Sequence, residues 1–250
     1  MPRSLGSLPC NLRLPHPEDT RARQAPAWRL IPRFVLVAWL AAPASGPAVV
    51  PSAQAAAPCH VPSSTYPTIQ AAVNDATCAT ITVAAGTYTE VVTIRRNVTI
   101  RGEGQESTVI DGSGRSPVVV ITSSTVTISG VTIQNGEASS AGGSGIFGGG
   151  IRNDGTLTVE SSTFANNRAL RGGGGIFNDG TLTVKNSTFA GNRAPLGGGI
   201  FNDSTLTVEN STFSDNRAFE SGGGIFNGGM VTLTHVTFEN NTPNDCLGCR

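Results

Sequence analysis

Short stretches in which polar and apolar residues alternate recur through the second half of the chain. One of them is Thr156-Leu157-Thr158-Val159, where every second residue is apolar and most are β-branched. A period of two is typical of a β-strand with one buried face, because successive side chains point to opposite sides. Glycine- and asparagine-rich turns separate these stretches and leave no room for crossover helices. The pattern predicts an all-β chain.

The alternating stretches belong to a repeat of 24 or 25 residues. Each copy has Gly-Gly-Gly-Ile, an Asn two residues later, an alternating strand, a Phe and a closing Asn. The isoleucines are Ile151, Ile176, Ile200 and Ile225, their partner asparagines Asn153, Asn178, Asn202 and Asn227, the phenylalanines Phe164, Phe189, Phe213 and Phe238, and the closing asparagines Asn167, Asn192, Asn216 and Asn241. A propeller blade needs about 40 residues, and the helical half of a leucine-rich repeat is missing. The repeat therefore predicts a parallel β-solenoid of about seven rungs.

Stacking of the rungs explains the choice of residues. Equivalent positions in neighbouring rungs of a parallel stack lie about 4.8 Å apart. We therefore expect inward ladders of Leu, Phe and Asn, with the Asn amides bonding along the axis. Outward positions include a column of alternating charge, formed by Glu160, Lys185 and Glu209, and a column of arginines, formed by Arg168, Arg193 and Arg217. We expect the arginines to spread into solvent or to meet anions.

Residues 1–55 have the pattern of a secretory leader. Several arginines precede an apolar run over residues 34–42, and Ala53-Gln54-Ala55 provides a small-x-small cleavage site. Nine apolar residues suit a signal peptide and are too few to span a bilayer. The alternative is an anchor that stays attached. The leader predicts an exported protein, secreted or at the cell surface, with no membrane span after cleavage.

Four cysteines remain after the leader, and an even number in an exported chain favours disulfides. Four cysteines allow three pairings. If the chain between them is a rod, its ends cannot meet, which leaves Cys59–Cys78 and Cys246–Cys249. The alternative for the second pair is a redox or zinc half-motif, but no second ligand pair accompanies it.

The open ends of a solenoid need caps. Residues 56–80 are predicted to form the N-terminal cap, with a helix over 68–76 that carries Ile69, Ala72, Val73 and Ala76 on one face. Residues 81–242 then form the β-helix, with regular repeats over 145–242, and residues 243–250 form the C-terminal cap.

Charge excludes one class of partner. Charged residues make up 14% of the chain, against about 25% in typical domains, and the formal net charge is zero. The leader has six arginines against Glu18 and Asp19, so the rest of the chain is mildly acidic. Such a chain has no electrostatic footprint for nucleic acid.

Two sets of motifs resemble known families. The segments 66–73 (YPTIQAAV), 85–91 (AGTYTEV) and 98–102 (VTIRG) resemble the opening of right-handed β-helix proteins of the pectin-lyase-like superfamily, which includes pectin methylesterases. The Gly-Gly-Gly-Ile and Phe-x-x-Asn motifs resemble the repeats of polymorphic outer-membrane-type passenger proteins. Together the resemblances cover about residues 59–249. They imply a right-handed parallel β-helix with rungs of about 25 residues and an N-terminal capping helix, but this fold hosts lyases, esterases, hydrolases and non-catalytic proteins.

The catalytic elements of those enzymes are missing from this chain. Past the opening, no Gln precedes an Asp, and both tryptophans lie in the leader. Glycoside hydrolysis needs paired carboxylates, and a serine triad needs a placed His. The chain has no adjacent aspartate pair, and its only histidines after the leader are His60 and His235. The sequence therefore predicts no catalytic residue.

One column of carboxylates raises the question of a metal. Asp154, Asp179 and Asp203 follow the ladder asparagines in three successive repeats. Carboxylates at rung spacing repel each other unless they are solvated or bridged by a cation such as calcium. The favoured interpretation is that these aspartates stabilise turns, because a residue that recurs in every rung is typical of a scaffold. We predict no metal and no cofactor, with calcium as the alternative.

An aromatic column is the candidate binding strip. Phe177, Phe201 and Phe226 each follow a ladder Ile, and Arg152 holds the equivalent place in the rung before them. If Ile and Asn point inward, these rings point outward, stack and form a strip for sugars or a partner surface. The alternatives are that they belong to the core or that a loop covers them.

The sequence thus predicts an exported, non-catalytic surface or matrix protein that adheres to a polysaccharide or a cell-surface protein. Its candidate binding residues are Arg152, Phe177, Phe201, Phe226, Asp154, Asp179 and Asp203. The alternative is a pectin-lyase-like lyase or esterase that acts on an acidic polysaccharide.

Overall fold

A computed structural model describes residues 58–115, 117–139 and 146–249, all within the compact unit formed by residues 51–250. The predicted leader, residues 1–55, lies outside the described residues. No helix of the described part is both long and apolar enough to cross a membrane.

One helix and 24 strands make up the described chain. The helix is α1 (Ile69–Asn74). The strands are β1 (Cys59–Val61), β2 (Thr80–Val83), β3 (Gly86–Thr89), β4 (Val92–Ile94), β5 (Val98–Gly102), β6 (Thr108–Asp111), β7 (Val119–Ser129), β8 (Thr132–Gln134), β9 (Glu137–Ala138), β10 (Ile151–Glu160), β11 (Thr163–Ala165), β12 (Arg168–Ala169), β13 (Ile176–Asn178), β14 (Thr181–Lys185), β15 (Thr188–Ala190), β16 (Arg193–Leu196), β17 (Ile200–Asn202), β18 (Thr205–Glu209), β19 (Thr212–Ser214), β20 (Arg217–Ser221), β21 (Ile225–Asn227), β22 (Met230–Thr234), β23 (Thr237–Glu239) and β24 (Cys246–Leu247).

The strands form three parallel sheets that wind around one core. Sheet A has 13 strands, with β1, β2, β5, β7, β10, β13, β17, β21 and β24 along its main path and β4, β14, β18 and β22 beside it. Sheet B has the seven strands β3, β6, β8, β11, β15, β19 and β23, one from each turn of the coil. Sheet C has the four strands β9, β12, β16 and β20. The predicted all-β parallel solenoid with rungs of about 25 residues is confirmed.

A file of phenylalanine rings fills the centre of the coil. The ring centroids of Phe164 and Phe189 are 4.6 Å apart, those of Phe189 and Phe213 4.7 Å, and those of Phe213 and Phe238 5.3 Å. The first three rings are fully buried, whereas Phe238 in the last turn is half-buried. The register places each ring directly over its equivalent, so the expected ladder is confirmed.

Two ladders of asparagine side chains run along the same axis. In the first, the Nδ2 of Asn178 donates to the Oδ1 of Asn202 at 2.7 Å and to the carbonyl of Thr205 at 3.0 Å. In the second, the Nδ2 of Asn192 donates to the Oδ1 of Asn216 at 2.9 Å and to the carbonyl of Phe164 at 2.9 Å. These asparagines are buried, and a buried polar group is tolerated because it is hydrogen-bonded.

The glycine triplets are required by the backbone. Gly173 has a φ of +69°, where L-residues are strained. A Cβ on Gly174 would lie 2.3 Å from the carbonyl oxygen of Gly198 in the next rung. The rungs approach too closely at this corner for any side chain, which explains why the triplet repeats.

Helix α1 is shorter than the predicted 68–76. It begins after Thr68, whose hydroxyl accepts a hydrogen bond from the N–H of Ala71, and it ends at Asn74 because Asp75 is extended and accepts from the N–H and hydroxyl of Thr77. Ala76, predicted to lie on the buried face, is therefore outside the helix and exposed.

The helix nevertheless buries the apolar face formed by Ile69, Ala72 and Val73. The carboxylate of Glu90 accepts from the N–H groups of its first two residues, and Arg96 donates to the carbonyls of Ala72, Val73 and Cys78. Both ends of the helix are therefore hydrogen-bonded to the coil. Its role as a cap stays a prediction, as do the boundaries 56–80 and 243–250.

Both predicted disulfides are present. Cys59 in β1 is bonded to the buried Cys78, and Cys246 in β24 is bonded to Cys249. The first ties the opening strand to the segment after α1. The second closes a loop next to β24, which pairs with β21 at the end of sheet A.

Asp111 gives the fold a defined response to acid. Burial raises the pKa of its carboxyl, but hydrogen bonds from Gln134, Asn135 and Ser113 outweigh it, and the pKa lies below its ordinary value of 3.8. The ionised form therefore stabilises the fold above about pH 4, and this contribution is lost as the pH falls through the lowered pKa. We expect Asp111→Asn to be less stable than the wild type at pH 7 and to approach it at pH 2.

Thermal melts at the two pH values measure this difference. Asp179→Asn is the control, because the Asp179 side chain is exposed and accepts no hydrogen bond from any described residue. An Asp111→Asn deficit that is the same at pH 7 and pH 2 would contradict the assignment.

Candidate binding face

Sheet C presents a column of arginines to solvent. Arg168, Arg193 and Arg217 are in register across β12, β16 and β20, and all three are exposed. The alanine that follows each of them is buried, because side chains alternate between the two faces of a strand. The strand period thus aims the three guanidinium groups away from the core.

These arginines have two kinds of neighbour, a carboxylate and an aromatic ring. Arg168 lies 3.8 Å from the carboxylate of Glu137. The guanidinium carbon of Arg193 lies 4.4 Å from the centre of the Phe219 ring, and that of Arg217 lies 5.8 Å from it. Phe219 is 52% exposed. A cation over a ring face is attracted to it, so one aromatic side chain positions two of the like charges.

The predicted aromatic column lies on the outside of the coil. Phe177 is flanked in β13 by the fully buried Ile176 and Asn178, so its ring points away from the core. Its ring centroid is 5.3 Å from that of Phe201, which is 5.0 Å from that of Phe226. The ring planes are within 17° and 12° of parallel. The faces therefore contact each other, and the strip shows ring edges rather than the open faces on which a sugar would stack.

Part of this column is covered. Phe177 is only 8% exposed, and the ring of Phe147 lies 4.6 Å from it, whereas Phe201 and Phe226 are half-buried. The rings of the column thus point outward, as predicted. At Phe177 the alternative also applies, because a neighbouring ring covers it.

A groove lies between the aromatic column and the face of sheet C. Its volume is about 390 Å³, with apolar walls formed by Phe147, Leu170, Pro195, Leu196 and Phe201 and charged residues Arg171 and Glu220. Leu170 is 42% exposed. We name the arginine column, Phe219 and this groove together the arginine–groove face.

Sequence reasoning missed most of the groove. Leu170, Pro195 and Phe219 occupy equivalent places after the arginines, but they differ in type and do not form a visible repeat. The available signal was their outward position two residues after each Arg.

The remaining candidate residues are not brought together. Arg152 is in register with Phe177, and its guanidinium pairs with Asp154 of its own strand at 3.0 Å. Asp179 and Asp203 are exposed, and their backbone N–H groups donate to Asn153 and Asn178 of the preceding rung. Within the described ranges, no group of three or more His, Cys, Asp or Glu side chains could hold a metal ion. The cation that pairs with Asp154 is thus the guanidinium group of Arg152.

Among the residues that the structure describes, two carboxyl groups have a shifted pKa, and both shifts are downward. Asp75 accepts hydrogen bonds from the hydroxyl and N–H of Thr77 and from the hydroxyl of Tyr66, and these lower its pKa; Asp111 is the second. The general acid of a glycosidase requires the opposite shift. Both groups instead accept several hydrogen bonds in their ionised form.

The chain belongs to the right-handed β-helix family. The family model described as "Right handed beta helix region" matches residues 81–247, which establishes the handedness of the coil. The expected right-handed parallel β-helix is therefore confirmed. The resemblance to outer-membrane-type repeats stays a prediction.

Solved structures of pectin methylesterases are similar in fold. One is a mutant in complex with a hexasaccharide, 16% identical, with a TM-score of 0.47 over 74% of this chain and 66% of that chain. A second is PemA from Erwinia chrysanthemi, 14% identical, with a TM-score of 0.47 over 76% of this chain and 68% of that chain. The chain thus spans about two thirds of the length of these enzymes. No curated protein matches the sequence.

Proposed function

We propose that the chain is an exported, non-catalytic β-helix that binds an acidic polysaccharide along its arginine–groove face. The observation that carries the proposal is the exposed register of Arg168, Arg193 and Arg217. Cations repeated about every 4.8 Å along a rod are complementary to a chain molecule whose carboxylates also repeat. The planar guanidinium group suits this role because it pairs with a carboxylate through two parallel hydrogen bonds.

The groove supports the same ligand class. A polysaccharide that lies over the arginines places its apolar ring atoms against Leu170, Pro195 and Phe201. Contact with apolar walls removes nonpolar surface from water and is insensitive to salt, whereas the arginine contacts weaken as salt screens them. A binding face of this kind has one salt-dependent and one salt-independent component.

The proposal of a non-catalytic role rests on the repeat itself. The arginine column has the same form in three successive rungs, which suits recognition of a repeating ligand, whereas an active site interrupts a repeat once. The sequence also lacks the paired carboxylates and the placed His that hydrolysis would use.

Arg193→Gln tests the proposal. We expect the variant to bind polygalacturonate about tenfold more weakly, because a hydrogen bond to a charged group contributes roughly 1.5 kcal/mol. Affinity electrophoresis in gels with polygalacturonate, alginate or a neutral glucan measures the change. Arg101→Gln is the matched control, since Arg101 is an exposed arginine on sheet A, and its binding should equal that of the wild type.

Two results would oppose this function. If the wild type migrates identically in all gels at low ionic strength, the arginine–groove face does not bind acidic polysaccharides. If incubation with pectin, polygalacturonate or alginate produces unsaturated uronate absorbance or methanol, the protein is an enzyme of the lyase or esterase type.

A further inference from the structure

The pairing of β16 with β20 is irregular at one point beside the groove. It is regular up to Ala194 and resumes at Leu196, with one residue more in β20 than in β16. The two residues of β20 in this gap are Phe219 and Glu220, and both lie opposite Pro195. Two residues opposite one form a β-bulge.

The bulge turns two consecutive side chains outward. In a regular strand one of two neighbouring residues faces the core, but Phe219 and Glu220 are both exposed. Phe219 lies beside the guanidinium groups of Arg193 and Arg217, whereas Glu220 lines the groove. The bulge thus brings a carboxylate into the groove at a place where the preceding rung has the uncharged Pro195.

A cation lies two rungs away in the same groove. Arg171 is exposed and lines it. The next residue, Gly172, pairs with Leu196, which in turn pairs with Ser221. Arg171 and Glu220 each precede the ends of this series, so their backbones lie about 9.6 Å apart along the coil. Among the residues that the structure describes, neither side chain forms an ion pair.

The two ends of the groove therefore attract different ligand groups. A carboxylate is attracted to Arg171 and repelled by Glu220, whereas an ammonium group is attracted to Glu220. The wall between them is apolar, with Leu170, Pro195 and Leu196, and suits the carbon face of a sugar ring. A polymer that carries only carboxylates matches one end of the groove and not the other.

We propose that Glu220 selects acidic polysaccharides that also carry free amino groups. This inference rests on the proposed function, because the arginine column binds the carboxylates of the same polymer. A chain in which uronates alternate with amino sugars places carboxylates against the arginines and an ammonium group against Glu220. Glu220 thus determines specificity, and the arginines provide most of the affinity.

Two forms of one polymer test the inference on the full chain. Hyaluronan alternates uronates with N-acetylated amino sugars, and partial de-N-acetylation converts some amides into ammonium groups without changing the carboxylates. We expect the wild type to bind the de-N-acetylated form about threefold more tightly, because an exposed ion pair contributes modestly. Affinity electrophoresis at low ionic strength measures both affinities. The lower negative charge of this form weakens its attraction to the arginines, so the arginine column cannot produce the preference.

Glu220→Gln should lose the preference for the de-N-acetylated form. The matched control is Glu160→Gln, since Glu160 is an exposed glutamate on sheet A, and it should keep the preference. Arg193→Gln should bind both forms more weakly by the same factor. Circular dichroism melts establish that the variants fold.

The outcomes separate this inference from the proposed function. If the wild type binds neither form, both fail. If Arg193→Gln weakens binding but the wild type binds the two forms equally, the selectivity of Glu220 is overturned and the function stands. A folded Glu220→Gln that keeps the wild-type preference overturns it as well.

Discussion

Phe189→Ala should lower the free energy of unfolding by about 3–5 kcal/mol. The ring is fully buried and stacks on Phe164 at 4.6 Å and on Phe213 at 4.7 Å. Its removal leaves a cavity in the middle of the file, with two rings that each lose a partner face. The neighbouring rungs are held in register by their backbone hydrogen bonds, so they cannot collapse fully into the space.

Urea denaturation followed by circular dichroism measures this loss. Phe201→Ala is the matched control, because Phe201 also stacks between two phenylalanines, at 5.3 and 5.0 Å, but lies on the outside of the coil and is half-buried. We expect it to cost less than half as much. Equal losses for the two variants would mean that the inner and outer columns have been assigned to the wrong sides.

Asn192→Leu should destabilise the protein by about 2–6 kcal/mol. The Oδ1 of Asn192 accepts from the backbone N–H of Asn167 at 3.0 Å and from its Nδ2 at 3.1 Å, and its own Nδ2 donates to the carbonyl of Phe164. The variant removes the acceptor of the buried Asn167 N–H and the Asn192 donor to the Phe164 carbonyl, and each unsatisfied buried group costs about 1–3 kcal/mol. The Nδ2 of Asn167 keeps the carbonyl of Ile133 as its acceptor. A leucine of similar volume thus fails although it is more apolar.

The matched control is Asn186→Gly, six residues earlier in the same rung. Asn186 is exposed at a corner with a φ of +49°, and glycine adopts that conformation without strain. We expect its unfolding midpoint to lie close to that of the wild type. If Asn192→Leu also unfolds at the wild-type urea concentration, the asparagine ladder does not contribute to stability as described.

The ladders could be predicted because they depend only on the period of the repeat. Because Phe164 and Phe189 occupy equivalent places in the repeat, parallel stacking puts one ring over the other, and the conformation of the loops between the strands does not change this. The same reasoning applies to Asn192 and Asn216. The disulfide pairing followed in turn, since a rod separates Cys78 from Cys246.

The groove could not be predicted from the period. Its walls come from residues such as Leu170 and Pro195, whose types vary from rung to rung, and from Phe147, which precedes the first full repeat. The cover over Phe177 likewise comes from Phe147, which lies outside the repeat. The end of α1 was mispredicted for a local reason: Asp75 bonds to Thr77, and this turn competes with another turn of helix.

The proposed binding face has a simple physical origin. A parallel coil converts one exposed residue in a repeat into a straight column with a fixed spacing. On sheet C the columned residue is arginine, which suits a ligand with repeated charges.

The central claim is that residues one repeat apart lie directly over each other. A crystal structure at a resolution that places side chains tests it most directly. We expect Phe164, Phe189, Phe213 and Phe238 in a single interior file, with successive ring centroids about 5 Å apart and the closing asparagines in a second file beside them. Electron density that places any of these four rings on the surface, or outside the file, would contradict the account.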